Sequence, residues 1–265
     1  MRYKLAAIDL DGTLLDDEKR LSARSIDMLR CIAECGVALV ISTGRPYNAA
    51  KWVLERAGVE GTIVSDGGAS AYRFPSAELL FESVLPRDVF FDVLTFSNNI
   101  KSFMFCMKDR DFWYEQECKA EKRMERYFGI SGIHTSFSKF KEPQFTKINL
   151  MLGQTDVRAE MERLADILGN RAVLSMSDTN FLDITATGVD KAATVLSVAK
   201  NLGISPSEII AFGDASNDVT LLQSAGLGVC PSESSPEALA VADVIAPSNN
   251  ADGVARAAEI YLFGD

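Results

Sequence analysis

The chain has 265 residues and a formal net charge of −10, with 47% hydrophobic and 24% charged residues. This is the composition of a folded globular protein with one or two domains, and it excludes an intrinsically disordered chain. An acidic chain lacks the basic surface that a general nucleic-acid binder needs, but a local group of cations can still bind a single phosphate.

The chain contains a single histidine, His134, which excludes a zinc site built from several histidines; we expect it in a loop or at a strand edge. The five cysteines are an odd number without regular spacing, which favours reduced, buried thiols over a disulfide or a metal clip. Acidic residues interrupt residues 1–15, where a signal peptide would be apolar. No apolar run approaches the roughly 20 residues of a membrane span. We therefore expect a cytoplasmic protein with neither a membrane nor a nucleic-acid partner.

Strands and helices alternate through the first third of the chain. Apolar runs predict strands over residues 4–9, 37–41 and 62–65, and amphipathic segments predict helices over 22–35 and 46–57. Continuous apolar strands are typical of a parallel sheet covered on both faces, and this element order predicts right-handed crossovers. The sequence thus predicts an α/β core with a doubly wound parallel sheet.

The pattern changes in the middle third, which is richer in Phe and in long charged side chains. The predicted strands there are 102–107, 112–114, 145–152 and 171–175, and the predicted helices are 87–97, 117–128 and 156–168. This mixture predicts an α+β unit inserted into the core.

The last third returns to the first pattern. The predicted helices are 190–202, 216–224, 236–242 and 253–263, and the predicted strands are 208–213, 227–230 and 243–246. We therefore expect a discontinuous core, residues 1–83 and 184–265, around an insertion at 84–183.

The motif Asp9-Leu-Asp11-Gly12-Thr-Leu follows the first predicted strand. Two carboxylates at the carboxyl end of a parallel strand face the crevice where α/β sheets bind ligands, and Gly12 lets backbone N–H groups approach an anion. Similar motifs occur in calcium loops and turns, but Arg20 stands where a calcium loop requires an acid. Alone, the motif leaves a catalytic site and a turn both open.

Three further motifs lie at the starts of predicted helices. Ser-Thr43-Gly-Arg suits phosphate binding, although Thr43 also suits an ordinary N-cap. Gly-Asp214-Ala-Ser-Asn-Asp218 offers oxygen ligands to a hard cation, or forms a capped turn. Lys191 opposes the dipole of the helix that it begins, which favours an acidic or phosphate partner.

In this order, the four motifs closely resemble those of the haloacid dehalogenase superfamily of aspartate-nucleophile phosphatases. The insertion before Lys191 is similar to the α+β cap of the Cof-type subfamily of sugar-phosphate and related hydrolases, and residues 242–255 are similar to that subfamily's C terminus. The resemblance covers essentially the whole chain and implies a Rossmann-like core with an inserted α+β cap.

The resemblance implies a role for each motif. Asp9 would be the nucleophile, and Asp11 the general acid and then the base. Mg²⁺ would bind the Asp9 carboxylate, the Asp11 backbone carbonyl and Asp214, while Asp218 would support the metal indirectly or orient one of its waters. The residues that would bind phosphate are Thr43, Gly44, Lys191 and Asn217.

The implied activity is Mg²⁺-dependent hydrolysis of a small organic phosphate monoester, such as a sugar phosphate or related metabolite, through an aspartyl-phosphate on Asp9. One alternative is a phosphomutase or phosphotransferase on the same scaffold. Another is a non-catalytic sensor that binds a phosphorylated ligand. The sequence does not fix the substrate or the oligomeric state.

Several positions depart from the pattern of relatives or leave alternatives open. Asp66 replaces Asn in an Asn-Gly-Ala motif and either lines the site or belongs to a loop. Asp183 replaces a Glu, and Ala192 replaces a Gly after the lysine. Lys147 faces either the substrate or solvent.

Overall fold

The computed structural model describes residues 2–153, 156–178 and 180–264. Within these ranges no helix has the length and apolar character needed to cross a membrane. All five cysteines are free, as the sequence predicts, but the prediction that they are buried holds only for Cys106 and Cys230, since Cys31, Cys35 and Cys118 are exposed. His134 is exposed, as expected for a residue in a loop or at a strand edge.

The described residues form two compact units. The core unit comprises the chain up to Gly44, Ala50–Phe81 and the chain from Asp190 onward. The inserted unit comprises Glu82–Val189 together with Arg45–Ala49. The sequence predicts 84–183 for the insertion, so the inserted unit also takes in short segments beyond both predicted limits.

Strands and helices are numbered in chain order. The strands are β1 (Leu5–Ile8), β2 (Ala38–Ser42), β3 (Gly61–Ser65), β4 (Ser70–Phe74), β5 (Leu79–Glu82), β6 (Phe103–Lys108), β7 (Asp111–Tyr114), β8 (Ile133–His134), β9 (Lys147–Met151), β10 (Ala172–Asp178), β11 (Phe181–Ala186), β12 (Ile209–Phe212), β13 (Leu227–Pro231) and β14 (Val244–Ala246). The α-helices are α1 (Ala23–Glu34), α2 (Tyr47–Ala50), α3 (Trp52–Ala57), α4 (Arg87–Ile100), α5 (Lys119–Phe128), α6 (Val157–Leu168), α7 (Lys191–Asn201), α8 (Val219–Ser224), α9 (Pro236–Leu239) and α10 (Gly253–Tyr261).

The core unit is built on a sheet with the order β14-β13-β12-β1-β2-β3-β4-β5. The strands from β14 to β3 are parallel, and β4 is antiparallel to β3. All residues of β1 and β12 are buried, as expected for central strands covered on both faces. From β1 the chain builds outward first on one side and later on the other, so the doubly wound prediction is confirmed.

Local signals place the core helices. The Ser22 hydroxyl accepts the Ser25 backbone N–H at 3.0 Å and caps α1, and Gly36, with φ of +73°, follows its end. The predicted helix over 46–57 is interrupted, because regular helix ends at Ala50 and begins again at Trp52.

The inserted unit contains a sheet with the order β10-β11-β9-β6-β7-β8. Its pairings are antiparallel except for β7 with β8. One face packs Ile148 and Leu150 against α4 and α6. A second cluster contains Phe103 and Phe105 of β6 with Phe128 of α5. The predicted α+β insertion is confirmed.

Four strands are not predicted from the sequence: β4, β5, β8 and β11. β8 has only two residues, too few to show an alternating pattern. β4 and β5 lie in a stretch where Gly67, Gly68 and Pro75 interrupt short apolar runs. β11 crosses the predicted boundary at 183/184, although Asp183 and Thr185 alternate with apolar neighbours as in a half-polar strand. Its partner β9 lies more than 30 residues away in the chain, so its register depends on tertiary pairing.

Lys147 of β9 is 4% exposed, and its Nζ contacts Asp183 Oδ2 of β11 at 2.6 Å. The alternative that Lys147 faces solvent is therefore wrong.

Candidate active site

Three of the predicted motifs meet at one edge of the core sheet. Asp9 follows β1, Thr43 follows β2, and Asp214 lies two residues after β12. β1 pairs in parallel with β2 and β12, and Ile8 lies opposite a residue near the end of each. The carboxyl ends of these strands therefore coincide. Because the strand order reverses at β1, this edge is where α/β sheets form a ligand crevice.

An acid cluster of Asp9, Asp214 and Asp218 lies at this edge. Each residue offers a carboxylate oxygen within 4.8 Å of the others. Asp9 is 4% exposed, Asp218 is 0% exposed, and Asp214 is half-buried. Burial disfavours the charged form of a carboxylate, so ionised acids in such a place need a nearby positive charge.

Lys191 supplies one positive charge to the acid cluster. Its Nζ donates to Asp9 Oδ1 at 2.6 Å and to Asp218 Oδ1 at 2.7 Å, and the residue is 3% exposed. The acidic partner that the sequence predicts for this lysine is thus a pair of carboxylates. Three ionised carboxylates against one ammonium leave two negative charges uncompensated, which matches the charge of one divalent cation.

The pKa values of the cluster reflect this charge and burial. Burial raises the pKa of Asp9 well above its ordinary value; Lys191 opposes this rise, and Asp218 and Asp214 add to it. Burial also raises the pKa of Asp214 to about 6, although the hydrogen bond from Thr13 opposes the rise. Burial lowers the pKa of Lys191, but Asp218 and Asp9 outweigh this and raise it above its ordinary value. A cation bound among the acids would favour their ionised forms.

The loop that carries Asp214 and Asp218 is held by hydrogen bonds within itself and by one from the distant Thr13. Thr13 Oγ1 donates to Asp214 Oδ1 at 2.6 Å. Asp218 Oδ2 accepts the backbone N–H groups of Asp214 and Ala215, each at 3.1 Å. Both oxygens of Asp218 are therefore engaged, one by Lys191 and the other by its own loop. Thr13 belongs to the motif that begins at Asp9, but the sequence alone predicts no role for it.

Gly12 brings the first motif close to Asp214. Its φ is +85°, and a Cβ at this position would lie 2.5 Å from Asp214 Oδ2. Glycine is required here both for the left-handed backbone and for the close approach of the carboxylate. The loop after β1 thus fixes one side of the acid cluster.

Gly12→Ala is expected to lower Mg²⁺ affinity at least about tenfold, because the added methyl group displaces the Asp214 carboxylate. The left-handed backbone strain of the alanine should also lower the free energy of unfolding by about 1–2 kcal/mol. Gly36→Ala is the matched control, since Gly36 has φ of +73° and open space around its Cβ position. The control should lose comparable stability and keep its Mg²⁺ affinity. Calorimetric titration and chemical unfolding measure both quantities. Equal Mg²⁺ affinity in the two variants would contradict this role for Gly12.

The loop after β3 supports the start of α7. Thr194 Oγ1 donates to the Gly68 carbonyl at 2.6 Å, and a Cβ on Gly68 would collide with the Asp190 carbonyl. The Asp190 carboxylate accepts the Ala193 N–H and caps the helix. These contacts position Lys191 at the acid cluster. Ala192, which departs from the pattern of relatives, is buried beside it.

The other predicted phosphate ligands lie in neighbouring loops. Thr43 is buried; its N–H donates to the Val64 carbonyl at 2.9 Å, and its carbonyl accepts the Gly67 N–H at 3.0 Å. Gly44 follows it and is half-buried. Asn217 Oδ1 is buried and has no hydrogen-bond partner among the described residues. Phosphate binding by these residues stays a prediction.

Asp66 has positive φ, at 56°, and its Oδ2 accepts the Ser70 hydroxyl at 2.8 Å. This contact favours the loop interpretation of Asp66 over a place in the site.

Asp11 lies outside the acid cluster. Its side chain is 20% exposed and forms an ion pair with Lys19 at 3.0 Å. The predicted metal contact uses its backbone carbonyl, which leaves the carboxyl group for proton transfer. Lys19 was not singled out in the sequence, where it stands in a charged loop with three acids directly before it.

Known proteins are similar to this chain over most of its length. An HMP-PP phosphatase of Escherichia coli is 28% identical over 88% of this chain and 86% of its own length. A phosphoglycolate phosphatase of Methanospirillum hungatei is 26% identical over 96% of this chain and 94% of its own. A solved haloacid dehalogenase-like hydrolase from Bacteroides thetaiotaomicron has a TM-score of 0.88 and 26% identity, over 97% of this chain and 98% of that one.

A chloroplastic endoribonuclease YBEY of Arabidopsis thaliana is 27% identical over 99% of this chain, but the chain spans only 47% of that protein. The family model for haloacid dehalogenase-like hydrolases matches residues 6–257. That range contains all four motifs and the insertion between them. The resemblance drawn from the motifs is confirmed, and this chain is an enzyme that belongs to the haloacid dehalogenase-like hydrolase family.

Proposed function

We propose that this enzyme hydrolyses a small organic phosphate monoester, with Mg²⁺ as cofactor and an aspartyl-phosphate intermediate on Asp9. The observation that carries the proposal is the buried Asp9 carboxylate, bound to Lys191 at 2.6 Å at the carboxyl end of a central parallel strand. The E. coli and M. hungatei relatives described above are matched over most of their length and are both phosphatases by name, which supports this reaction class.

The residues present fit a magnesium ion. Mg²⁺ prefers hard oxygen ligands, and the acid cluster provides carboxylate oxygens within 4.8 Å of one another with two uncompensated charges. Both oxygens of Asp218 are already engaged. The residues of the cluster that would hold the ion are therefore Asp9 and Asp214, and the family resemblance adds the Asp11 backbone carbonyl. When bound, Mg²⁺ supplies positive charge that offsets the repulsion between the carboxylates and a phosphate dianion.

The residues of the chain have separate roles in the proposed reaction. A carboxylate oxygen of Asp9 attacks phosphorus, so that a new O–P bond forms and the P–O bond to the alcohol breaks. Asp11 donates a proton to the leaving alcohol and later takes one from the water that cleaves the aspartyl-phosphate. Lys191 holds Asp9 in place and stabilises the negative charge on the phosphoryl oxygens. Thr43, Gly44 and Asn217 bind those oxygens.

Mg²⁺ affinity is expected to fall with acidity, because the ion binds the ionised acids. The pKa of Asp214, raised by burial, is about 6, against an ordinary 3.8. The folded chain therefore binds a proton at Asp214 more readily than the unfolded chain does. As a result, the free energy of unfolding of the metal-free protein declines as the pH rises from 3.8 to about 6. Each pH unit below about 6 should raise the Mg²⁺ dissociation constant at least about tenfold, because Asp214 must lose a proton to bind the ion and the pKa of Asp9 is raised as well. Thermal shift titrations test this, and equal affinity on both sides of pH 6 would contradict it.

The experiment that tests the proposed function is phosphate release from p-nitrophenyl phosphate and a panel of sugar phosphates, nucleotides and phosphoglycolate, with Mg²⁺ or with excess chelator. We expect free phosphate from at least one compound with Mg²⁺, loss of activity with chelator and recovery when Mg²⁺ is restored. Isomerised sugar phosphate without free phosphate would instead indicate a phosphotransferase. Binding without any turnover would indicate a sensor.

A further inference from the structure

Lys19 and Asp11 form an ion pair within the core unit. Lys19 Nζ lies 3.0 Å from Asp11 Oδ1, and the two side chains are 36% and 20% exposed. An ion pair with this much access to solvent contributes little to stability. Its partner, however, is the residue that the proposed mechanism uses for proton transfer, so the contact acts directly on the chemistry.

The backbone at Lys19 is strained. Its φ is +60°, in the left-handed region that is unfavourable for a residue with a side chain. Two backbone hydrogen bonds close this turn, from the Lys19 N–H to the Asp16 carbonyl at 2.8 Å and from the Asp16 N–H to the Arg20 carbonyl at 3.1 Å. Glycine would relieve the strain, but it has no side chain to reach Asp11. A strained residue in contact with a candidate catalytic group indicates a functional role.

The acids nearest to Lys19 in the chain have other partners. Three acids precede it directly, and Arg20 binds two of them, Asp16 Oδ2 at 2.8 Å and Glu18 Oε2 at 2.5 Å. Lys19 instead reaches back to Asp11, in the motif that begins at Asp9. The two cations of this loop thus have separate partners, and one of them lies against Asp11.

The third acid, Asp17, anchors the loop to the C-terminal part of the chain. Asn249 Nδ2 donates to Asp17 Oδ1 at 3.2 Å and to the Leu15 carbonyl at 2.9 Å. Asn250 Nδ2 donates to Asp17 Oδ2 at 3.0 Å, and Asn250 Oδ1 accepts the Asp17 N–H at 3.1 Å. Asn249 is buried, so solvent competes weakly for its bonds. The loop therefore presents Lys19 from a backbone that is held on both sides of the turn.

The ion pair decides which oxygen of Asp11 carries the acidic proton. An ammonium group only donates hydrogen bonds, so the oxygen that faces Lys19, Oδ1, must accept, and the proton of the carboxyl group lies on Oδ2. We propose that Lys19 is a positioning residue, which orients the Asp11 carboxyl group so that Oδ2 donates its proton to the leaving oxygen. As the P–O bond breaks, its electron pair stays on that oxygen, which takes the proton and departs as the alcohol.

This inference rests on the proposed phosphatase function, because it assigns the proton transfer of that reaction. The test varies the leaving group and measures kcat/KM, which depends on the steps up to departure of the alcohol and not on cleavage of the aspartyl-phosphate. The substrates are p-nitrophenyl, phenyl and benzyl phosphate, whose leaving groups are similar in size and increasingly basic. The more basic the leaving oxygen, the more its departure depends on a proton.

Lys19→Met should lower the ratio of kcat/KM for benzyl phosphate to kcat/KM for p-nitrophenyl phosphate at least about tenfold, with phenyl phosphate between them. Lys19→Gly relieves the backbone strain and should lower the ratio in the same way. Lys19→Arg keeps a cationic donor and should retain most of the ratio. Lys51→Met is the matched control, since Lys51 is also 36% exposed and pairs with Glu55 at 2.9 Å. The control should keep the wild-type ratio.

A wild-type ratio in both Lys19→Met and Lys19→Gly would overturn the inference and leave the phosphatase proposal standing, because a role in folding or in charge alone lowers all three rates alike. A wild type that hydrolyses p-nitrophenyl phosphate but neither phenyl nor benzyl phosphate would also overturn it, since no acid would then assist the leaving group. Failure of the wild type with these three esters and with every compound of the phosphate panel would instead overturn the phosphatase proposal, and this inference with it.

Discussion

Asp9→Asn is expected to reduce phosphate release by at least about 10⁴-fold, the scale seen when a covalent nucleophile is removed. The amide is a poor nucleophile, but it has nearly the same shape, and its oxygen can still accept the hydrogen bond that Lys191 donates at 2.6 Å. The substitution also removes one negative charge from the acid cluster, where burial raises the pKa of Asp9. Thermal stability without Mg²⁺ should therefore be unchanged or higher. Phosphate release from p-nitrophenyl phosphate and a thermal melt measure the two effects.

Asp27→Asn is the matched control for this substitution. Asp27 is an exposed acid on α1 and pairs only with its neighbour Arg30, at 3.3 Å, among the described residues. The control should keep wild-type turnover and stability, since an exposed ion pair contributes little. Turnover by Asp9→Asn at a rate close to that of the control would exclude Asp9 as the nucleophile.

Lys191→Met is expected to lower the free energy of unfolding by about 3–5 kcal/mol near neutral pH, because it leaves Asp9 and Asp218 buried without their shared counter-charge. Both acids are almost wholly inaccessible, at 4% and 0% exposure, so solvent screens them weakly. The difference in free energy of unfolding between Lys191→Met and the wild type should become smaller at low pH, where Asp9 takes up a proton. It should also become smaller when Mg²⁺ binds. Chemical unfolding at two pH values, with and without Mg²⁺, measures each effect.

Lys4→Met provides the comparison for a surface ion pair. Lys4 contacts Glu208 at 2.6 Å, but its side chain is 59% exposed, so its loss should cost no more than about 1 kcal/mol. If Lys191→Met were no more destabilising than Lys4→Met, the charge balance inferred for the acid cluster would be wrong.

The centre of the site could be predicted because its acids follow strands with a strong apolar pattern. Asp9 comes directly after the wholly buried strand β1, and Asp214 lies two residues after the wholly buried strand β12. Parallel pairing of those strands brings their ends together. Lys191 was found from its unfavourable place at a helix start. The sequence could not show that it bridges Asp9 and Asp218, since that depends on how the loop after β3 holds α7.

The contacts that the sequence missed depend on long-range packing. Thr13 binds an acid 201 residues away, and Lys147 meets Asp183 only because β9 pairs with β11. β11 is not predicted from the sequence, because Asp183 and Thr185 interrupt its apolar residues and leave no continuous apolar run. Local patterns specify which segments become strands. Register between distant strands decides which polar side chains meet.

The most direct test of the central claim, that Asp9 carries the phosphoryl group, is rapid acid quenching of Asp11→Asn enzyme mixed with Mg²⁺ and p-nitrophenyl phosphate. The p-nitrophenolate ion leaves without a general acid, whereas cleavage of the aspartyl-phosphate lacks its base, so the intermediate should accumulate. Mass spectrometry of the digested protein should find phosphate on the peptide that contains Asp9, and none in Asp9→Asn enzyme treated in the same way. Release of p-nitrophenol and free phosphate at equal rates, with no phosphorylated peptide at any time, would contradict the account.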